Sequence, residues 1–155
     1  MHMPASLISV AVVTALTLPV IAWAEEPGCI ALSGSIAGNV TGPGAVLGTV
    51  TGDLEGATAA AITEQQKQED GTIQLKLKHV FVTKTRASLQ TTDTAVWVPI
   101  PGQSGVYQMT TQYTVTGGTG RFANAKGTLE NHGEADTNRG LVTLAYSGRI
   151  CGVTP

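Results

Sequence analysis

The sequence predicts an all-β protein: an eight-stranded antiparallel up-and-down barrel with one disulfide joining its first and last strands. Three observations carry this. Apolar and polar residues alternate with period two in run after run. Short turns rich in Gly, Pro, Asp or Asn separate most of these runs. The only two cysteines, Cys29 and Cys151, stand at opposite ends of the β-rich region.

The chain has 155 residues, enough for one domain with a substantial core. Its start, MHMPASLISVAVVTALTLPVIAWAEE, is apolar from Leu7 to Trp23 and carries no Asp, Glu, Lys or Arg before Glu25. That stretch is short for a membrane span, and it ends in Ala22-Trp23-Ala24, an A-x-A cleavage pattern. Residues 1–24 are therefore read as a secretory signal, and 25–155 as one domain, secreted or periplasmic, with no stable membrane span. The signal lacks the usual positive start, since only His2 could supply charge, and an uncleaved anchor is the alternative. Signal removal leaves the net charge at −2, with no basic stripe to follow a phosphate backbone, so nucleic acid is not an expected partner. Export favours a Cys29–Cys151 disulfide. It would close a loop of about 120 residues, worth on the order of 5 kcal/mol in the chain-entropy picture.

Eight strands are expected, at 29–36, 45–52, 55–65, 71–83, 86–98, 106–116, 123–135 and 140–151. In GTIQLKLKHVFVT, Ile73, Leu75, Leu77, His79 and Phe81 share one face and Gln74, Lys76 and Lys78 the other. In GVYQMTTQYTVT, Tyr107, Met109, Thr111, Tyr113 and Val115 share a face, and in GLVTLAYSGRIC so do Val142, Leu144, Tyr146 and Ile150. The stretch ATAAAITEQQKQ has Ala-rich helix propensity, but flanking Gly and Asp residues leave it as a strand. Long strands with short connections favour antiparallel neighbours, and closure removes exposed edges. A two-sheet sandwich is the competing architecture.

One motif invites a different reading. Gly118-Thr119-Gly120-Arg121-Phe122-Ala123 matches G-x-G-x-x-A and follows a strand. A dinucleotide site needs a helix next, yet ANAKGTLENHGEAD is broken by Gly127 and Gly133. The approach to a phosphate-binding loop also fails, because no Ser or Thr follows Lys126 directly. The glycines are read instead as a turn, with Phe122 folding over a barrel end as an apolar plug.

VTGGTGRFANAKGTL resembles the signature of the allene oxide cyclase and dirigent superfamily, in which a GGTG turn ending in Phe leads into A-x-G on the next strand. TTDTAVWVP and YSGRIC resemble secreted bacterial members of the allene oxide cyclase barrel-like group. The resemblance covers roughly 44–152 and implies a calycin-like eight-stranded barrel around an apolar cavity. In plant allene oxide cyclases it would also imply a cavity glutamate on the first strand. Ile30 to Val40 hold no acid.

The residues themselves give two candidates for chemistry. His79 shares its face with Leu75, Leu77 and Phe81, and inside a barrel it would serve as general base or acid, or as a satisfied core histidine. Asp93 is in register with Leu89 and Trp97; an inward carboxylate needs a partner, and the alternative is a bulge or turn residue bonded to neighbouring threonines. Leu75, Leu77, Phe81, Trp97, Tyr107, Tyr113 and Phe122 are the expected ligand-contacting wall. Arg121 and Arg149 are expected in solvent or in surface pairs, and His132 on an outer face with Lys126, Glu130 and Glu134. No cluster has metal-ligand spacing, and no cofactor is expected. Small residues at Ala125, Gly127, Gly133 and Gly148 are expected to leave space inside. Three functions stay open: a secreted barrel binding a small apolar ligand (lipid, terpenoid or phenolic), a cofactor-free cyclase or isomerase, or a structural barrel forming homo-oligomers.

Overall fold

The structure is a computed structural model, and it describes residues 28–155. The expected signal at 1–24 lies outside the described residues. Eight strands, β1 (Ile30–Gly42), β2 (Ala45–Gly52), β3 (Gly56–Lys67), β4 (Ile73–Thr83), β5 (Ser88–Pro99), β6 (Val106–Gly118), β7 (Lys126–Asp136) and β8 (Leu141–Cys151), close into one barrel. Every neighbouring pair is antiparallel, including β8 with β1, which run together from Ile30 opposite Ile150 to Asn39 opposite Leu141. The expected barrel, not the sandwich, is the fold. Cys29 and Cys151 are bonded, joining the lower ends of β1 and β8.

Strand limits depart from expectation at two places. β1 extends to Gly42, because closure requires it to pair with both β2 and β8 along its length. The seventh strand starts at Lys126, not at 123: Gly120–Phe122 form a 3-10 turn, and Ala125 N–H bonds back to the Phe122 carbonyl. The Ala-rich stretch is strand β3, its register fixed by pairing from Gly56 opposite Thr83 to Lys67 opposite Ile73.

Alternation sorts the side chains as the pleat demands. On β4, Ile73, Leu75, Leu77 and Phe81 are buried while Gln74, Lys76 and Lys78 are exposed. The two ends of the barrel differ. At the lower end, with the disulfide, three turns send Leu54, Ala87 and Phe122 inward to pack with Leu32, Phe81, Leu89, Leu129 and Ile150. The GGTGRF segment builds this plug. Gly120 takes the left-handed conformation (φ 58°), which glycine adopts without penalty. Thr119 pins the turn to β5: its hydroxyl accepts from the Ser88 N–H at 3.0 Å, and its own N–H donates to the Ser88 carbonyl at 2.9 Å.

The inward glycines do not open the lumen as expected. A Cβ on Gly133 would stand 2.5 Å from the Leu144 Cβ, and one on Gly148 would stand 2.8 Å from Leu129 Cδ2. Their missing side chains are filled by neighbouring residues, so they tighten the barrel wall. Ala125 likewise belongs to the plug.

Candidate functional site

Above the plug lies a cavity of about 40 Å³, room for roughly three water molecules. Its walls are unequal. Strands β8, β1, β2 and β3 supply Val142, Leu144, Ile36, Gly38, Val46 and Ala60, an apolar wall broken only by Thr58, whose hydroxyl donates to the Val80 carbonyl. Strands β4 to β7 supply His79, Trp97, Thr111, Tyr113 and Asn131 among apolar Leu77, Ala95 and Met109. One side of the lumen is therefore greasy and the other polar.

The polar wall is organised by strand register. His79 lies opposite Thr91, and Leu77 opposite Asp93, so His79 and Asp93 are diagonal neighbours on adjacent strands. Their side chains meet through His79 Nδ1 and Asp93 Oδ2. The carboxylate is fully buried, and the imidazole keeps 12% of its surface accessible. A buried carboxylate needs such a partner. The imidazole stacks on Phe81 (centroids 5.7 Å apart) and meets the Tyr113 ring edge-on at 5.2 Å. With the carboxylate accepting from Nδ1–H, Nε2 is the ring nitrogen left over, and no group among the described residues bonds to it.

Tyr113 is across from Asp93 on β6, and Asn131 is reached through β7. The Asn131 amide donates to the Tyr113 hydroxyl oxygen. Burial, foremost, and the nearby Asp93 charge push the Tyr113 phenol well above its ordinary range, against the lowering effect of that hydrogen bond. Tyr113 therefore keeps its proton at any physiological pH. Among the described residues, four buried polar atoms have no hydrogen-bond partner: Thr91 Oγ1, Asp93 Oδ1, Trp97 Nε1 and Asn131 Oδ1. Leaving such an atom unpaired costs about 1–3 kcal/mol, and four in one region is a concentration that a stable core avoids.

The residues singled out from the sequence distribute unevenly around this cavity. His79, Tyr113, Leu77 and Trp97 line it, and Asp93 stands directly behind His79. Tyr107 sits half-buried at the upper rim against Trp97, ring centroids 5.9 Å apart. Leu75 packs above with Ile73, Leu77 and Ala95, whereas Phe81 and Phe122 belong to the plug. Arg121 is exposed at the plugged end, its guanidinium 5.1 Å from the Phe122 ring centre, far from the open mouth. Arg149 and His132 are exposed on outer faces.

Sequence reasoning missed Asn131 and Thr58 as polar members of the cavity lining, and Thr91 as a buried hydroxyl beside it. Asn131 shares the inward face of β7 with Leu129 and Ala135, a period-two signal weakened by Gly127 and Gly133. Among the described residues no group of His, Cys, Asp and Glu is placed to hold a metal ion, and no helix is long and apolar enough to cross a membrane.

No family model and no curated protein matches the chain. Among solved structures it is similar to one described as the structure of the pterocarpan synthase dirigent protein GePTS1. The identity is 16%, over 88% of this chain and 95% of that one, with a TM-score of 0.34. A likeness of that depth assigns no chemistry to the lumen.

Proposed function

We propose that the protein is an exported barrel that binds a small, mainly apolar molecule carrying a polar oxygen, of the size of a simple phenolic. One observation carries this reading: among the described residues, buried polar atoms without partners belong to Asn131 and Trp97, two residues lining a cavity whose opposite wall is apolar. A ligand oxygen would accept from the Trp97 N–H, and a ligand hydroxyl would donate to the Asn131 carbonyl, while its apolar body rests on Ile36, Ala60 and Leu144. The enclosed 40 Å³ is smaller than one ring, so a phenolic would lie partly in the lumen and partly against Trp97 and Tyr107 at the rim. A fatty acid or terpenoid would have to project past Trp97 and Tyr107. The disulfide supports the assignment to an oxidising compartment.

Native mass spectrometry of the mature protein, purified from its export compartment, tests this. The expected result is a single small adduct, or one-to-one uptake of an offered phenolic, weakened at least tenfold by Asn131→Leu. A bare chain mass with no uptake of phenolics or fatty acids would replace this reading with a structural barrel.

A further inference from the structure

We propose that the lumen catalyses proton transfer beside a carbonyl, with His79 as the base, Asp93 as its positioning residue and Tyr113 as the donor to the carbonyl oxygen, on small β,γ-unsaturated ketones. The proposal rests on the small-ligand reading and adds a reaction to it.

Three features converge. The Asp93 contact to Nδ1 fixes the imidazole so that Nε2, unbonded to protein, is the basic nitrogen. No serine or cysteine lines the cavity, the Thr58 hydroxyl is committed to Val80, and the Thr111 hydroxyl makes no hydrogen bond to His79. A positioned base without a nucleophile suits proton abstraction better than acyl transfer. The Tyr113 ring meets the His79 ring at 5.2 Å, and the Tyr113 oxygen already accepts from Asn131. No acceptor among the described residues takes its own proton, so it is available to a ligand oxygen. Base and donor thus stand as neighbours, as do an α-carbon and the carbonyl oxygen of one ketone.

The step balances without a cofactor. His79 Nε2 takes the α-proton, and the C–H electron pair forms the C=C bond of a dienolate. The carbonyl π pair moves to oxygen, where the Tyr113 O–H stabilises the charge by hydrogen bonding. The imidazolium then returns its proton to the γ-carbon, the carbonyl re-forms, and the product is the conjugated α,β-unsaturated ketone. His79 and Tyr113 end as they began. A low-dielectric cavity strengthens such a donor at the developing oxyanion.

The test uses the intact disulfide-bonded protein and β,γ-cyclohexenone, a single-ring member of this class that would lie partly in the lumen and partly against the Trp97 and Tyr107 rim. Binding is read by calorimetry and isomerisation by the rise of conjugated-enone absorbance. Expected are saturable turnover, loss of kcat by at least a hundredfold in His79→Gln and Asp93→Asn, and by about ten- to a thousandfold in Tyr113→Phe, each with KM changed less than threefold. Folding of each variant is confirmed by circular dichroism, and Asp93→Glu, which keeps the carboxylate, recovers part of the rate lost in Asp93→Asn. Binding without turnover overturns the reaction and leaves the ligand reading intact. Failure to bind this ketone or any phenolic overturns both. Turnover unchanged in His79→Gln overturns the assignment of the base.

Discussion

The lower and upper halves of this lumen are made by the same eight strands under the same alternation, yet they do opposite things. In the lower half every large inward side chain finds an apolar neighbour, and even the Tyr146 hydroxyl is satisfied, donating to the Thr51 carbonyl and accepting from the Leu54 N–H, both at 3.0 Å. In the upper half inward polar atoms on Asn131 and Trp97 have no protein partner. The difference comes from the turns. The lower connections insert Leu54, Ala87 and Phe122, whereas the upper ones (43–44, 68–72, 100–105 and 137–140) contribute no buried side chain. Strands set the radius of the barrel, and loops decide which end is core and which end is site.

Removing the plug gives the largest expected effect. Phe122 is 1% exposed among Leu32, Phe81 and Leu89, so Phe122→Ala should cost about 3–5 kcal/mol through lost burial and the cavity left behind. Denaturant unfolding of the disulfide-bonded protein measures it, and the variant should still take up the same ligand. A loss below about 1 kcal/mol would mean that the lower turns are dispensable. Ligand uptake falling in step with stability would erase the distinction between the halves.

The polar wall should behave differently from the plug. His79→Leu alone strands the fully buried Asp93 carboxylate and should cost about 3 kcal/mol. The double variant His79→Leu, Asp93→Leu removes the buried carboxylate together with its partner and should regain most of that loss. A double-mutant cycle by chemical denaturation reads the coupling directly. Near-additive losses would show that His79 and Asp93 contribute independently, with no energetic coupling through their contact. Recovery of stability with loss of ligand handling would sharpen the view that the pair is kept for its chemistry.

How much of this the sequence made legible follows the same division. Alternation along GTIQLKLKHVFVT placed Leu75, Leu77, His79 and Phe81 inward, and the Phe122 plug could be read from the GGTGRF turn. The meeting of His79 with Asp93 could not be read, because it depends on the β4–β5 register, and a shift of one residue would turn Asp93 outward. Asn131 escaped because its inward face offers only Leu129 and Ala135 as large or apolar markers, with glycines at 127 and 133, so the period-two signal is weak there. The inward glycines misled for a physical reason: a missing side chain creates space only if the neighbours stay back, and here Leu129 and Leu144 move in.

Tyr113 joins the two halves, packing on Phe81 below and facing His79 above, and it yields the smallest effect, visible only in alkali. Its phenol is raised above the ordinary value of 10 by burial and by Asp93, so the folded state resists ionisation that the unfolded chain accepts. The contribution is fully present below the unfolded value and is lost as pH rises beyond it. Stability should therefore begin to fall near pH 10, by at most about 1.4 kcal/mol per pH unit from this group. Tyr146, raised mainly by its burial, adds a fall of the same sign. In Tyr113→Phe the alkaline slope should become shallower without vanishing, while at neutral pH the variant loses only about 1 kcal/mol with the Asn131 hydrogen bond. Unfolding curves across this range, read with tyrosinate absorbance, separate the two tyrosines. An unchanged slope in Tyr113→Phe would show that this phenol ionises freely in the folded barrel, and the upper lumen would then be far wetter than its burial implies.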